Sequence, residues 1–348
     1  MLERRSCAPS WAPISGTSCE CFAKRGPLMT EDTIEVRVKR ISYEADRINS
    51  YELVSPAGGD LIPFTAGGHI DLHLSNRMIR SYSLVNDQRE RHRYVVAVNK
   101  EPAGRGGSRF VHDNLRVGDI IRVSRPRNNF GLCEEAEHSI LIGGGIGITP
   151  LLSMIRRLDA LGRASELVYA ARTRPAAAFL DELAALGLNG RLNVQLDFDD
   201  ERSGRVFDLP AVVGRAPAQA HLYCCGPQPM LEAFERATAD RPANHVHVEY
   251  FQAKAPPAIE GGFEVRLARS NRTIAINPGK TILDALLDAG IAANHACSEG
   301  VCGTCETRVI DGIPDHRDQF LSKEEQAANK TMMICCSGAR SATLVLDL

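Results

Sequence analysis

Between Ile34 and about Val123 the apolar residues fall on alternate positions in short runs: Ile34, Val36 and Val38, then Ile70, Leu72 and Leu74, then Tyr94, Val96 and Val98. A period of two marks half-buried strands. Glycine and proline clusters at 55–59 and 66–68 interrupt the runs, so the pattern predicts antiparallel strands closing into a small barrel, with one short helix over 109–115. After the acidic stretch 133–137 the rhythm changes. A buried strand, SILI, runs into a glycine turn and then the amphipathic TPLLSMIRRLDALG; strands follow at 167–171, 192–196 and, last, 221–225, with a helix over 176–186. Strands alternating with helices predict a parallel sheet covered on both faces.

Residues 252–262, QAKAPPAIEGG, hold two prolines and two glycines between patterned segments and read as a linker. Beyond it Phe263, Val265 and Leu267 alternate, as do Ile274 and Ile276, and Thr281 is placed to cap a helix that Gly290 helps to end. Strands at 306–310 and 344–347 complete a β-grasp unit. The expected organisation is multidomain: an antiparallel β-barrel over 30–134, an α/β parallel-sheet domain over 135–251, the linker, and an α+β domain over 263–348. No internal repeat is visible.

Composition narrows the function. Forty-one Lys plus Arg against forty-three Asp plus Glu leave a formal charge of −2, so no basic field exists to attract nucleic acid or an anionic membrane surface. Aromatic residues make up 5% with a single tryptophan, Trp11, which argues against base stacking. No apolar run is long enough to span a bilayer. Eleven cysteines, an odd number, point to thiols kept reduced in the cytoplasm as ligands or core residues. The first 28 residues lack the continuous apolar stretch of a signal peptide. They are expected to be a disordered or mis-annotated extension (1–29), with translation starting at Met29, so that Cys7, Cys19 and Cys21 drop out.

Cys297, Cys302 and Cys305 stand in the order C-x4-C-x2-C and Cys335 follows at a distance, the plant-type [2Fe–2S] spacing. Four thiolates also suit zinc, but structural zinc usually takes two short cysteine pairs. Gly300 and Gly303 fit a loop wrapped closely around a cluster. Cys336 adjoins Cys335; neighbours on a strand point to opposite faces, so only one is a ligand, and Cys335 is favoured. The run Gly143 to Pro150, GGGIGITP, lies between strand and helix, where helix-terminal amides hold a pyrophosphate; a tight turn would need the same glycines. Tyr223-Cys224-Cys225-Gly226-Pro227 ends a strand facing the same crevice. Arg80-Ser81-Tyr82-Ser83-Leu84 and Gly104-Arg105-Gly106-Gly107-Ser108 offer an arginine for phosphate, a ring to cover an isoalloxazine, and helix-opening amides for an anion.

Taken together, these motifs resemble the phthalate dioxygenase reductase family, which includes vanillate demethylase reductases, over about 34–348. The stretch after Ser298, EGVCGTCETRVIDGIPDHRDQFLS, looks closer to the vanillate demethylase type. The resemblance implies the order FMN barrel, NAD domain, C-terminal ferredoxin. By position it implies that Arg80, Ser81, Tyr82 and Ser83 hold the flavin, with Ser83 near N5, and that Gly106, Gly107 and Ser108 take its phosphate. Gly144, Gly145, Thr149 and Pro150 would line the nucleotide site, Cys225, Gly226 and Pro227 would lie near the nicotinamide, and Glu249 and Phe251 close to flavin and cluster.

The implied activity is electron transfer from NADH through FMN and a [2Fe–2S] cluster to a terminal Rieske-type oxygenase that hydroxylates or O-demethylates an aromatic substrate. A nicotinamide releases a hydride and a cluster accepts single electrons, so a flavin must stand between them. Ser83 and Cys225 are then positioning groups in the catalytic step, since hydride transfer needs no acid or base. Arg172 and Arg174, after the second strand of the NAD domain, stand where a 2′-phosphate would lie; family members nonetheless use NADH. Glu299, Glu306 and Asp311 are candidate acidic docking residues for the oxygenase. His295 and His316 border the cluster region and are expected to be hydrogen-bonded rather than ligands. The resemblance implies a monomer. Two other readings stay open: a flavin and iron–sulfur electron-transfer or redox-sensing subunit that does not itself oxidise nicotinamide, and a zinc-bound interaction module.

Overall fold

Six strands arise from the alternating segment: β1 (Thr33–Ala45), β2 (Ile48–Val54), β3 (His69–His73), β4 (Ile79–Ser83), β5 (Tyr94–Asn99) and β6 (Ile120–Ser124). In this computed structural model, which describes residues 33–76, 78–202 and 207–348, they pair antiparallel in the order β4-β3-β6-β1-β2-β5. A bridge between Leu84 and Val96 brings the two ends of the sheet together. Val36, Val38, Ile70, Leu72, Val96 and Val98, the alternate residues of the pattern, are fully buried inside. The short helix, α1 (Gly107–Asn114), begins two residues earlier than the sequence suggests. Gly106 ahead of it takes φ +86, and Gly107 lies against Arg80 where no side chain fits. The expectations for residues 1–29 lie outside the described residues.

The second sheet is parallel throughout, in the order β11-β10-β7-β8-β9. Its elements are β7 (Ser139–Gly144), α2 (Ile148–Ala160), β8 (Ser165–Ala171), α3 (Leu180–Gly187), β9 (Leu192–Phe198), α4 (Leu209–Arg215), β10 (His221–Cys225), α5 (Gln228–Ala237) and β11 (Val246–Glu249). Two expectations are corrected. The helix placed over 176–186 starts only at Leu180, because the Ala178 amide donates to the Tyr169 hydroxyl at 3.0 Å and Phe179 turns left-handed at φ +62 to enter the core. The sheet also does not end at 221–225: β11 adds an edge strand whose sequence, VHVE, is too short and polar to read as a buried one.

The third unit comprises β12 (Phe263–Leu267), β13 (Arg272–Ile276), α6 (Ile282–Asp288), β14 (Glu306–Asp311), β15 (Pro314–Asp315), α7 (Lys323–Ala328), β16 (Thr331–Met333), β17 (Gly338–Ala339) and β18 (Thr343–Leu346). Its main sheet runs β13-β12-β18-β14-β16, with β12 and β18 parallel, and α6 packs its buried face, Ile282, Leu283 and Leu286, onto that sheet's core. Thr281 caps α6 as expected, in a reciprocal box with Asp284. Residues 252–262 form no helix or strand, yet Ala258 donates to the Cys336 carbonyl at 2.7 Å, so the connection is tied to the third unit. Among the described residues no helix is long and apolar enough to cross a membrane.

One face of β10 and β11 carries His221, His247 and Tyr223, with His245 alongside. His221 Nδ1 lies 3.0 Å from His247 Nε2, the Tyr223 and His247 rings stack at 4.4 Å, and the His245 ring sits 4.6 Å from that of His221. Burial, followed by repulsion from His221 and His245, pulls His247 down to about 4. An unfolded histidine takes up its proton near 6.5 while the folded one resists until about 4, so stability is full above that window and falls as pH drops through it. We expect the urea midpoint to fall between pH 7 and pH 5 and His247→Gln to flatten that slope; an equal slope in the variant would refute the assignment.

Candidate functional site

The barrel gathers its candidate residues on β4 and the loop opening α1. Arg80 lies over Gly107, whose hypothetical Cβ would fall 2.4 Å from Arg80 Nε, and it donates to the Ile79 and Arg105 carbonyls. Strand and loop therefore present Arg80 and the amides of 106–108 side by side, a charge and a set of donors suited to one phosphate. Tyr82 is partly buried against the barrel core, with burial pushing its phenol well above the usual range, and Ser83 is buried at the strand end. Ser81 has its side-chain proton engaged within the barrel. Its hydroxyl donates to buried Asp71 at 2.6 Å, which leaves its oxygen and its backbone for a cofactor. The Ser108 hydroxyl accepts from the Glu101 amide at 3.0 Å, fixing the loop's return.

At the carboxyl end of the parallel sheet the two glycine turns press on each other. A Cβ on Gly147 would stand 2.2 Å from the Cys225 carbonyl oxygen, and one on Gly144 would meet Pro227 at 2.6 Å and Met230 at 2.8 Å. These glycines are thus required by close packing between the turns. Gly145 is different: at φ +53 it faces open space, leaving the mouth of the crevice clear for a ligand's approach. Thr149 bonds back to the Ile146 carbonyl at 2.9 Å, and Pro150 is buried in the first turn of α2. Cys225 is fully buried and pairs in register with Glu249. Burial, then the Glu249 charge, raises its thiol well above the usual range, which disfavours a nucleophilic thiolate and leaves it a packing group. Glu249 Oε2 is enclosed without a hydrogen-bond partner, and burial raises the carboxyl to about 8. Phe251 packs against the core beneath. Arg174, a candidate for a 2′-phosphate, is engaged instead by Glu201 at 3.3 Å and lies 4.5 Å over the Phe198 ring.

The cysteine loop brings its four thiols together in burial. Cys297 contacts Cys302 and Cys335 thiol to thiol, and Cys305 contacts Cys335. Gly300 and Gly303 hold φ +70 and +75; a Cβ on the first would strike Cys336 Sγ at 2.4 Å and on the second the Phe320 ring at 2.3 Å. Cys336 accordingly points away from the tetrad, beneath Gly300 and toward the Met333 carbonyl and Ser337. The Glu299 amide points at Cys297 Sγ at 3.3 Å, and Thr304 Oγ1 lies 3.2 Å from Cys302 Sγ. Four converging soft donors with a backbone donor aimed at one of them fit an iron–sulfur cluster. His295 and His316 make local contacts, to the Ala293 carbonyl and the Asn329 side chain.

The third unit meets the barrel at this loop. Arg105 donates to the Cys297 carbonyl at 2.5 Å and the Ser298 carbonyl at 3.2 Å, and pairs with Glu299 at 2.6 Å. Asn129 donates to the Cys302 carbonyl at 3.2 Å, and Ile79 packs beside Cys297 and Cys302. Glu299, expected on an outward docking face, is therefore turned to the barrel, whereas Glu306 and Asp311 are exposed. Beneath the contact, Arg127 and Asp71 form a buried ion pair at 2.5 Å. Sequence reasoning missed Arg105, Asn129, Asp71 and Arg127. Arg105 stood inside a quoted motif, but nothing in the chain's pattern signals a contact almost two hundred residues away.

Comparison with known proteins agrees with this geometry. Residues 141–236 match an oxidoreductase NAD-binding domain and 265–340 a 2Fe-2S iron-sulfur cluster binding domain. The chain is 54% identical to phenoxybenzoate dioxygenase subunit beta of Ectopseudomonas oleovorans over 90% of its own length and 97% of that protein. It is 42% identical to the vanillate O-demethylase oxidoreductase of a Pseudomonas species, over 90% of this chain and all of the other, so of these two it is nearer the former. Among solved structures, phthalate dioxygenase reductase, described as a modular structure for electron transfer from pyridine nucleotides to [2Fe–2S], superposes with a TM-score of 0.72 at 39% identity, over 91% of this chain and 98% of that one.

The enclosed Glu249 carboxyl yields a test. Its folded value lies above the unfolded one, so its contribution to stability is complete below about 4.5 and is lost as pH rises toward 8. Relative to wild type, Glu249→Gln should gain in urea midpoint steadily from pH 5 to pH 8. A constant difference across that range would show that the carboxyl is solvated.

Proposed function

The chain belongs to the phthalate dioxygenase reductase family, and on that premise we propose that it oxidises NADH and delivers the electrons, through FMN and a [2Fe–2S] cluster, to a terminal Rieske-type oxygenase acting on an aromatic substrate. Reductase activity with NAD-binding and 2Fe-2S domains is the family's common ground. The observation that carries the reading is the direct contact between the loop at 104–108 and the loop at 297–302, which sets a phosphate-binding surface and a thiol cluster in one continuous path.

The residues divide the work. Arg80 and the amides of Gly106, Gly107 and Ser108 would hold the flavin phosphate, while Tyr82 and Ser83 would lie against its ring system. Gly144, Gly145, Thr149 and Pro150 would shape the nucleotide crevice, and Cys225, Gly226, Pro227 and Glu249 would line its inner end. Cys297, Cys302, Cys305 and Cys335 would ligate the cluster, a reading that the place of Cys336 beneath Gly300 supports. A bound flavin supplies the conversion between a two-electron hydride and single electrons. Arg174, already paired with Glu201, favours NADH over a cofactor carrying an extra phosphate. Exposed Glu306 and Asp311 are available to an oxygenase; ring hydroxylation and O-demethylation both fit, since that chemistry belongs to the partner.

Anaerobic titration with NADH should bleach both flavin and cluster in the purified protein; a colourless, zinc-loaded preparation would refute the reading. Cys335→Ser should abolish acid-labile sulfide while Cys336→Ser retains it, and the reverse result would exchange their roles. Ser83→Ala should slow flavin reduction by NADH about tenfold or more with iron content unchanged. Mixing the reductase with candidate oxygenases and assaying formaldehyde release against ring hydroxylation separates the two substrate classes.

A further inference from the structure

Three side chains of the barrel touch the cysteine loop, and two of them donate to the carbonyl of a cluster-ligand candidate. Arg105 spreads its guanidinium over the Cys297 and Ser298 carbonyls and the Glu299 carboxylate, and Asn129 takes the Cys302 carbonyl. A carbonyl held by a donor fixes its whole peptide plane, so these bonds orient the amides following Cys297 and Cys302 as well as the cysteines themselves. Ser298, between them, sits at φ +53, a conformation unfavourable to a side chain that its surroundings must hold in place.

The stabilisation involved is small. The Arg105 side chain is 47% exposed and that of Glu299 27%, and an ion pair open to water contributes at most about 1 kcal/mol. A contact so weak and so specific governs placement more than stability. The loop it holds is itself enclosed, since no residue from Ala293 to Cys305 is exposed. Arg105 itself directly precedes the candidate phosphate-binding amides of 106–108, and Arg80 Nη2 donates to its carbonyl at 3.4 Å. One short segment thus addresses the flavin side through its backbone and the cluster side through its side chain.

We propose that Arg105 and Asn129 are positioning residues for internal electron transfer, pinning the cysteine loop at both ends of its tight turn against the flavin-binding loop. The proposal deepens the function given above and rests on it. Arginine is needed at 105 because a planar fork spans two carbonyls and a carboxylate at once, which a lysine's compact ammonium cannot do.

The test uses the full chain with flavin and iron contents matched between samples. In anaerobic rapid mixing with NADH, the ratio of cluster reduction to flavin reduction should fall about tenfold or more in Arg105→Ala/Asn129→Ala, less in Arg105→Lys, and least in Glu299→Gln. Amide hydrogen exchange over 297–304 should speed up in the same order, while the thermal midpoint stays near that of the wild type. Where the alanine variant binds flavin weakly, Asn129→Ala/Glu299→Gln leaves the flavin loop untouched and should reproduce both effects more mildly. An unchanged ratio with unchanged exchange overturns the pins. A wild type whose cluster NADH fails to reduce would instead sink the function proposed above, and the exchange experiment would still decide whether the pins hold the loop.

Discussion

Four thiols can be brought close together only if the backbone that carries three of them turns back on itself within the nine residues 297–305. Everything about the third unit serves that constraint. Gly300 and Gly303 take left-handed conformations with Cys336 and Phe320 pressed where a Cβ would be, so the turn is both bent and backed by packed atoms. The segment after β15 completes the support: the Gln319 amide donates to the Gly300 carbonyl at 3.0 Å, and buried Asp318 accepts from the Leu321 amide at 2.8 Å. The loop is preorganised by the sheet around it, which limits the rearrangement that electron transfer would otherwise demand.

The nucleotide crevice solves a related problem by contact between two turns instead of one. Gly147 lets the β7–α2 turn lie against the Cys225 carbonyl, and Gly144 admits Pro227 and Met230. Behind them Cys225 is buried and Glu249 half-buried with one carboxylate oxygen enclosed, and desolvation disfavours the charged form of both. An uncharged inner wall suits a hydride step, in which no side chain needs to gain or lose a proton.

Between these two sites the barrel acts as the frame. Its strands carry the candidate flavin residues on one rim, and the same rim supplies Ile79, Arg105 and Asn129 to the cysteine loop. The buried Asp71–Arg127 pair, braced by Ser81, stiffens the floor under that contact. Each unit has apolar residues of its own at its core, and one shared core, with Ala45, Val85, Ala97 and Phe130 beside Leu141, Ile148 and Leu151, joins the barrel to the parallel-sheet unit, whereas the barrel meets the third unit through polar contacts around a small apolar cluster.

Much of this was legible in the chain. Alternation of apolar residues revealed the barrel strands because period two directly reports one buried face, and the strand–glycine–helix rhythm revealed the parallel sheet. The cysteine spacing stood out because ligation ties chemistry to sequence distance. Local conflicts were not legible: helix α3 starts late because Tyr169, in another strand, captures the Ala178 amide. Likewise nothing in the sequence signals that Asp71 accepts from the Ser81 hydroxyl or that Arg105 pairs with Glu299. The pairing of loop 104–108 with loop 297–302 depended on tertiary structure alone, because hydrogen bonds between units leave no periodic trace in either segment. Sequence determined which groups the protein possesses; packing decided which of them face each other.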